Sequence, residues 1–353
     1  MKLVPLQNYR PVRFTMVASF GLLCGLLTIP CWAQQNIAQL PAAKTPAAKL
    51  PFDVFNEPID GIQIYMHLEN NANAQKQVQA TDAVDILRQQ LLAAKTSSDV
   101  SLDALTSHPL VNSDDLYPHM VKSCLYLGRF YNCGKCDRTH VAMACGVVID
   151  ESGLALTNYH VLSKRDELLT EGYMAMTYDG KCFEVEEILA ADKTADVALV
   201  KLKANGHKFH AAPIAKTRPK PTAEVRMVSH PSGEFYVMTK GEVSRYSRTN
   251  AKSNPVTWLE ITADFGAGSS GCGVFNSTGE VVGIASRIKP LSRAKSTTIR
   301  NDKKIVKPQY VELILRRCAD LAAIKACFQP NEPASDPADA EADTDTAEYT
   351  PTP

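Results

Sequence analysis

Between about residues 120 and 290, short apolar runs alternate with turn residues. VAMACGVVID and GLALTN flank Glu151-Ser152-Gly153, while GYMAMTY and KCFEVEEILA flank Asp179-Gly180, a strong hairpin signal. Further runs of the same kind follow, namely VALVKL, VRMVSH, GEVSRYS, TWLEIT, GVFN and EVVGIAS. Many short strands separated by regular turns predict an all-β barrel or sandwich.

Helical spacing occurs on both sides of this region. In residues 78–95 the apolar positions lie on or near one stripe: Val84, Ile86, Leu87, Leu91 and Leu92. We expect a short helix packed on the back of the main body, and a propeptide or partner-docking element is the alternative. The run PQYVELILRRCADLAAIKACF near the other end predicts a C-terminal helix.

The two ends of the chain differ from the middle. Lys2, Arg10 and Arg13 precede the uncharged stretch from Phe14 to Ala33, which contains a helix-breaking proline and has small residues, Cys31 and Ala33, at the two positions that a signal peptidase reads. This pattern predicts a signal peptide over 1–33 and a periplasmic or secreted protein, with an uncleaved membrane anchor as the alternative. Residues 329–353 are acidic and rich in proline, which predicts a disordered tail.

Composition narrows the choice of partners. Lys plus Arg (38) equals Asp plus Glu (38), so the formal net charge is zero and nothing indicates a nucleic-acid partner. We expect no membrane contact after signal cleavage, and the sequence leaves the oligomeric state open.

Three residues are candidates for nucleophilic catalysis. Ser270 lies in the glycine-rich run GAGSSGCGVFN, His160 ends the run LALTNYH, and Asp196 opens the apolar run DVALVKL. A serine nucleophile needs a base to take its proton and a group that orients the base. Taken singly, each has an ordinary structural explanation: a Gly-Ser loop, a core histidine and a turn aspartate.

The segments around these residues resemble one family. SGLALTNYHVL, ADKTADVALVKL, VRMVSHPSGEFYVMTKGEVS and GSSGCGVFNSTGEVVGI are similar, in that order, to segments of trypsin-like serine peptidases of the HtrA/Deg kind. The resemblance covers about residues 140 to 290. It implies two antiparallel six-stranded-type β-barrels, with the site in the cleft between them.

The same resemblance implies the role of each residue. Ser270 would be the nucleophile, His160 the general base and Asp196 the residue that orients His160. The N–H groups of Gly268 and Ser270 would form the oxyanion hole. The implied organisation is a linker and helical preface over 34–117 and a lone protease domain, without a PDZ domain, over 118–328.

Asp264 precedes Ser270 by six residues. In trypsin-like enzymes this offset is the floor of the primary specificity pocket, so the resemblance implies cleavage after Arg or Lys. The alternative is a loop aspartate that faces solvent.

Two of the ten cysteines lie within the predicted signal peptide. An even number of cysteines in an exported chain predicts structural disulfides, with the pairing left open. Cys133-Gly-Lys-Cys136 also has redox-motif spacing, and a further alternative is a zinc site formed by this pair with Cys124, His140 and Cys145. We expect no metal and no other cofactor. The disulfide candidates are Cys124, Cys133, Cys136, Cys145, Cys182, Cys272, Cys318 and Cys327.

The sequence therefore predicts an exported serine endopeptidase that acts on extended polypeptides through an acyl-enzyme. Two other functions remain possible on the sequence alone. One is a non-catalytic binding module with the same fold, and the other is a cysteine-rich zinc or redox protein.

Overall fold

The computed structural model describes residues 52–79, 82–163, 169–249, 255–292, 297–300, 303–306 and 311–328. The predicted signal peptide and the predicted C-terminal tail lie outside the described residues.

The first half of the domain is a closed β-barrel. Its six strands are connected in the order β1-β3-β4-β7-β6-β5, and β5 pairs back with β1 to close the ring, while β2 extends the edge of β1. All of these pairings are antiparallel. The strands are β1 (Cys124–Asn132), β2 (Thr139–Val141), β3 (Cys145–Asp150), β4 (Leu154–Thr157), β5 (Leu169–Met176), β6 (Cys182–Asp192) and β7 (Val197–Leu202).

The second half forms another closed barrel. Its six strands follow the order β10-β15-β12-β11-β8-β9, and β9 pairs with β10. The predicted all-β fold with two six-stranded antiparallel barrels is therefore confirmed. The strands are β8 (Glu224–Ser229), β9 (Val237–Arg248), β10 (Thr257–Ile261), β11 (Gly273–Phe275), β12 (Val281–Ser292) and β15 (Val311–Asp320), with a separate pair formed by β13 (Thr297–Arg300) and β14 (Lys303–Val306).

Both faces of the first-barrel strands are buried, which explains their nearly continuous apolar runs. Along β1, Leu125 and Leu127 belong to one hydrophobic cluster, whereas Cys124 and Tyr126 belong to another. Successive side chains of a strand point to opposite faces. The two faces of β1 therefore pack in different clusters. Every residue of the strand from Cys124 to Phe130 is buried.

Short helices cover the barrels. They are α1 (Gly61–Val78), α2 (Ala83–Ala93), α3 (Leu116–Ser123), α4 (Tyr159–Leu162) and α5 (Leu321–Ala326), with 3₁₀ turns at Leu102–Ala104 and Pro231–Gly233. The predicted helix is present as α2, whose Leu87 and Leu91 are buried in the cluster that contains Leu125 and Leu127.

The sequence reasoning missed α1. Its buried stripe consists of Ile64, Leu68 and Ala72, but Ile62 and Met66 are exposed on the same helix. These additional apolar residues blur the helical periodicity. Among the described residues, no helix is both long enough and apolar enough to cross a membrane.

The predicted C-terminal helix is wrong over its first half. Val311–Asp320 is the strand β15, and the helix α5 begins only at Leu321. β15 pairs with β10 on one side and with β12 on the other. The need to close the barrel therefore outweighs the local helical pattern.

Candidate active site

His160 lies at the start of a one-turn helix directly after a buried strand. β4 ends at Thr157, and Tyr159–Leu162 forms α4. The imidazole is 40% exposed, and its two nitrogens face different partners. Nδ1 lies 2.9 Å from Asp196 Oδ2, and Nε2 lies 2.9 Å from Ser270 Oγ.

Asp196 occupies the turn before β7. Its φ of 57° lies in the left-handed region, and its side chain is only 4% exposed. Asn158 Nδ2 donates to the Asp196 carbonyl at 2.7 Å, and the His160 N–H donates to Oδ1 at 3.1 Å. Both the backbone and the carboxylate of Asp196 are thus fixed toward His160.

Ser286 is a further residue of this network that the sequence reasoning missed. Its hydroxyl donates to Asp196 Oδ2 at 2.5 Å. The pairing of β12 with β15 skips Ser286, because Ala285 faces Cys318 and Arg287 faces Arg317. An extra residue of this kind forms a β-bulge, which re-aims a side chain. Here the bulge turns the hydroxyl of a second-barrel serine toward the carboxylate of the first barrel.

These contacts determine the charge of Asp196. Burial alone would raise its pKa, but the hydrogen bonds and charge of His160, together with the Ser286 hydroxyl, outweigh burial and lower the pKa. The carboxylate is therefore ionised at neutral pH and can stabilise an imidazolium at His160.

The loop before β11 presents Ser270. The Ser269 N–H donates to Gly266 O, and the Cys272 N–H donates to Ser269 O. Within the described part of the chain, the N–H groups of Gly268 and Ser270 have no backbone acceptor. Two free N–H groups beside a nucleophile can serve as donors to an oxyanion.

Gly268 is required by the geometry of this loop. Its φ is 96°, and a Cβ at this position would lie 2.4 Å from the carbonyl oxygen of His230. A side chain here would force apart the loop and the segment that carries His230.

Two cavities adjoin the His160–Ser270 contact. One of ≈ 320 Å³ contains Ser270 and extends along Arg129, Met143 and Gly268. The other, of ≈ 660 Å³, contains Asp196 and is bordered by the cations Lys193 and Arg287. Ser270 is therefore reachable from solvent.

The structure does not bring Asp264 to these cavities. Its side chain is 81% exposed, and its Oδ1 is ion-paired with Arg316 Nη2 at 2.8 Å. Asp264 is therefore a loop aspartate that faces solvent, which was the alternative explanation. Selection of basic residues therefore gains no support from Asp264.

The structure contains no disulfide among the eight cysteines, which differs from the sequence-based expectation. Cys318 lies in the second-barrel cluster and Cys327 in the cluster that includes α1 and α3, so they face different cores. They therefore do not form a disulfide with each other. The free thiols are Cys124, Cys133, Cys136, Cys145, Cys182, Cys272, Cys318 and Cys327.

Three of these thiols lie buried beneath the Ser270 loop. The Cys145 N–H donates to Ser270 O at 2.7 Å, and Cys145 Sγ lies 3.3 Å from Gly268 O. Burial raises the pKa of Cys272, so its thiol is protonated and donates to Val228 O at 2.5 Å. Cys145 and Cys272, together with Cys124, connect the Ser270 loop to the first barrel.

Two closed antiparallel barrels with a Ser-His-Asp arrangement contributed by both define the class of trypsin-like serine peptidases. Residues 144–284 match the family model described as a trypsin-like peptidase domain. This part of the chain is therefore similar to trypsin-like peptidase domains, as the sequence motifs indicated.

Similar proteins carry names of the HtrA/DegP kind. A putative serine protease HhoA of Synechocystis is 26% identical over 169 residues, covering 46% of this chain and 41% of that protein. A probable periplasmic serine endoprotease DegP-like of Pseudomonas fluorescens is 30% identical over 156 residues, covering 44% and 31%. Serine protease HTRA1 of Xenopus laevis is 30% identical over 148 residues, covering 40% and 31%. The chain thus spans about a third to two fifths of the length of these relatives.

Proposed function

We propose that this protein is an exported serine endopeptidase that hydrolyses peptide bonds through an acyl-enzyme. The observation that carries the proposal is the position of His160, whose two ring nitrogens lie 2.9 Å from Asp196 Oδ2 and 2.9 Å from Ser270 Oγ. This is hydrogen-bonding distance for both the orienting residue and the nucleophile.

The first step forms the acyl-enzyme. Ser270 Oγ attacks the carbonyl carbon while its proton passes to His160 Nε2, and the carbonyl oxygen becomes an oxyanion. The N–H groups of Gly268 and Ser270 stabilise this oxyanion. His160 then protonates the departing amine, which breaks the peptide bond and leaves the acyl group on Ser270.

The second step releases the acyl group. A water molecule gives its proton to His160 Nε2 as it attacks the ester, and Ser270 recovers a proton from His160 when the acid leaves. Asp196 stabilises the imidazolium in both steps and keeps Nδ1 as a donor. Its burial makes this interaction stronger than it would be in water.

The proposed substrates are extended polypeptides. The cavity that contains Ser270 is lined by Ala142, Met143 and Ala144, which connect β2 to β3, so backbone groups lie beside the nucleophile. An extended peptide can bind along such a segment through main-chain hydrogen bonds.

Export is part of the proposal. The sequence of residues 1–33 has the build of a signal peptide, and a similar protein carries the name periplasmic serine endoprotease. Expression of the full chain in a Gram-negative host should give a mature protein, released from the periplasm, whose N-terminus follows Ala33. A protein that retains Met1 and stays in the cytoplasm would contradict export.

An active-site phosphonate tests the catalytic role directly. We expect covalent labelling of Ser270 in the wild type, and no labelling in Ser270→Ala or in His160→Ala. Peptide-library cleavage should fall by several orders of magnitude in both variants.

The control is Ser113→Ala, because Ser113 is exposed and bonds only to its neighbour Asp114 among the described contacts. This variant should label and cleave like the wild type. A folded wild type that neither labels nor cleaves would favour the non-catalytic binding module.

A further inference from the structure

The loop between β1 and β2 contains a second group of reactive side chains. β1 ends at Asn132 and β2 begins at Thr139, so Cys133 and Cys136 lie in the connecting loop and His140 lies in β2. One donor atom from each of these three residues lies within 4.8 Å of the others. Cys136 is exposed and the other two are half-exposed, so ions can reach the group.

We propose that Cys133, Cys136 and His140 form a zinc site with three protein ligands and one position open to water or a further ligand. Two thiolates and an imidazole are the donors that Zn²⁺ prefers in proteins. This differs from the sequence-based expectation of no metal. It narrows the zinc alternative considered there, which added Cys124 and Cys145 to these same three residues.

The distances fit a tetrahedral metal better than a disulfide. With Zn–S near 2.3 Å and Zn–N near 2.05 Å, tetrahedral angles separate two sulfur ligands by roughly 3.8 Å and sulfur from nitrogen by roughly 3.6 Å. The two Sγ atoms are 3.5 Å apart, and Cys136 Sγ is 3.1 Å from His140 Nε2. A small outward movement of each ligand would admit the ion, whereas a disulfide needs about 2.05 Å and leaves His140 unused.

Contacts within the hairpin fix the orientation of the His140 imidazole. His140 is the cross-strand partner of Tyr131, and their rings are stacked with centroids 5.5 Å apart. A ligand that is already oriented loses less conformational entropy when it binds a metal.

The buried group of Cys124, Cys145 and His230 has similar composition but the wrong hydrogen bonding. The backbone N–H of Tyr236 donates to His230 Nδ1 at 3.1 Å. The neutral imidazole must therefore carry its proton on Nε2, the nitrogen that faces Cys124 Sγ at 3.9 Å. That nitrogen has no lone pair to offer, so this group does not bind a metal in the form described.

Zinc bound in this loop would affect a hairpin that lines the candidate active site. β1 and β2 pair over only three positions, Phe130 with Val141, Tyr131 with His140 and Asn132 with Thr139. The adjoining Arg129 and Ala142 line the cavity that contains Ser270. A metal across the loop would therefore stiffen the β1–β2 hairpin beside the nucleophile.

Zinc binding by the reduced full chain is the decisive measurement. The protein is purified with a phosphine reductant and without chelator, and zinc sulfate is titrated in competition with a chromophoric chelator. We expect one zinc per chain. Cobalt(II) in place of zinc should give thiolate-to-metal charge-transfer absorption and the visible bands of tetrahedral cobalt.

Two ligand variants and one control locate the site. Cys136→Ser and His140→Ala should each weaken zinc binding by more than the roughly 10- to 100-fold that loss of an outer-shell partner costs. Cys182→Ser should bind like the wild type, because the Cys182 thiol is half-buried and contacts Gly180 O. Circular dichroism must show that all three variants are folded.

Three results would overturn the proposal. One is substoichiometric zinc in the reduced wild type. Another is unchanged binding in Cys136→Ser together with loss in Cys145→Ser, which would move the metal to the buried group. The third is a Cys133–Cys136 disulfide that persists in protein isolated from the periplasm with zinc present, detected by mass spectrometry.

A second expectation rests on the proposed peptidase activity. Removal of zinc should raise KM for peptides several-fold with a smaller change in kcat, because the hairpin borders the cavity and does not contact the reacting atoms. Zinc binding without any cleavage would uphold the metal site and reject the peptidase. Cleavage without zinc binding would uphold the peptidase and reject the metal site.

Discussion

At the scale of single residues, Asp196 is the best-constrained group of the candidate site. Its carboxylate faces His160, Ser286 and, at 3.5 Å, Arg287, so both barrels contribute to one buried charge. Because the partners come from distant parts of the chain, their alignment depends on how the two barrels meet.

Ser286→Ala tests whether the second barrel positions this carboxylate. The variant removes one hydrogen bond to a charged group, which is worth about 1.5–3 kcal/mol, so we expect kcat/KM to fall roughly 10- to 100-fold. The loss should appear in kcat, and phosphonate labelling should slow in parallel.

Ser247→Ala is the matched control for this substitution. The Ser247 hydroxyl donates to Glu260 Oε1 at 2.7 Å, which is the same type of bond to a buried carboxylate away from Ser270. Its kcat/KM should match the wild type. Equal losses in the two variants would show that Ser286 acts only on stability.

Gly268→Ala tests the loop that carries the proposed oxyanion donors. The new methyl group would collide with His230 O, so the loop must shift. The Gly268 N–H should then no longer point to the position of the oxyanion. We expect a loss of roughly 10²–10³ in kcat, comparable to removal of one oxyanion donor.

The comparison variant is Gly206→Ala. Gly206 has a φ of 83°, and nothing lies within 4 Å of its Cβ position, so this variant carries the backbone strain without the collision. It should be slightly less stable and fully active. Wild-type kcat in Gly268→Ala would contradict the proposed oxyanion role.

At the scale of elements, three histidines connect a helix, a loop and a hairpin turn. His119 of α3 lies between Gly279 O, 3.0 Å from its Nε2, and His210 Nε2, 3.0 Å from its Nδ1. His108 stacks on His210 with ring centroids 3.7 Å apart. Because His119 can accept from His210 only while it is neutral, this cluster depends on pH.

The stability of the protein should therefore fall in mild acid. Burial, followed by the neighbouring His108 and His119, lowers the pKa of His210 from 6.5 to about 3. Between these values the unfolded chain binds more protons than the folded chain, so the free energy of unfolding decreases as pH falls below 6.5. The stabilisation is complete above pH 6.5.

His210→Gln should reduce this dependence, because the amide can still donate to His119 but does not titrate. Urea denaturation at pH 7 and pH 5 measures the effect. We expect the variant to lose less unfolding free energy than the wild type between the two pH values. An equal loss in both would show that His210 does not contribute.

Local sequence predicted those elements whose own residues determine them. The run before His160 and the run after Asp196 are buried strands in the structure, as their apolar composition indicates. β15 was mistaken for a helix because its role depends on the backbones of β10 and β12, which are distant in sequence. Ser286 escaped notice for a similar reason: its partner Asp196 is 90 residues away, and the bulge that turns it inward is set by the pairing with β15.

At the scale of the whole molecule, the barrels extend beyond the region that matches the family model. That region ends at residue 284, whereas β12 continues to Ser292 and β15 lies at 311–320. On the other side, β1 closes the first barrel from residues 124–132, before the match begins. The closing strand of each barrel is therefore the part that family similarity alone would omit.

Truncation tests this architecture. A chain that ends after Phe328 keeps β15 and α5, so we expect it to melt cooperatively at the temperature of the full chain. A chain that ends at residue 310 lacks β15, so β10 and β12 each lose one of their two partner strands and the second barrel cannot close. It should aggregate or show no cooperative transition by calorimetry.

The order of strands in the second barrel also has a consequence for biosynthesis. β15 fills the gap between β10 and β12, so any nascent chain shorter than about 320 residues holds the Ser270 loop on an open sheet. Long-range closure of this kind makes folding depend on contacts that form late. We therefore expect the Ser270 loop to reach its final geometry only after β15 has been synthesised, so the proposed peptidase activity cannot begin on an incomplete chain.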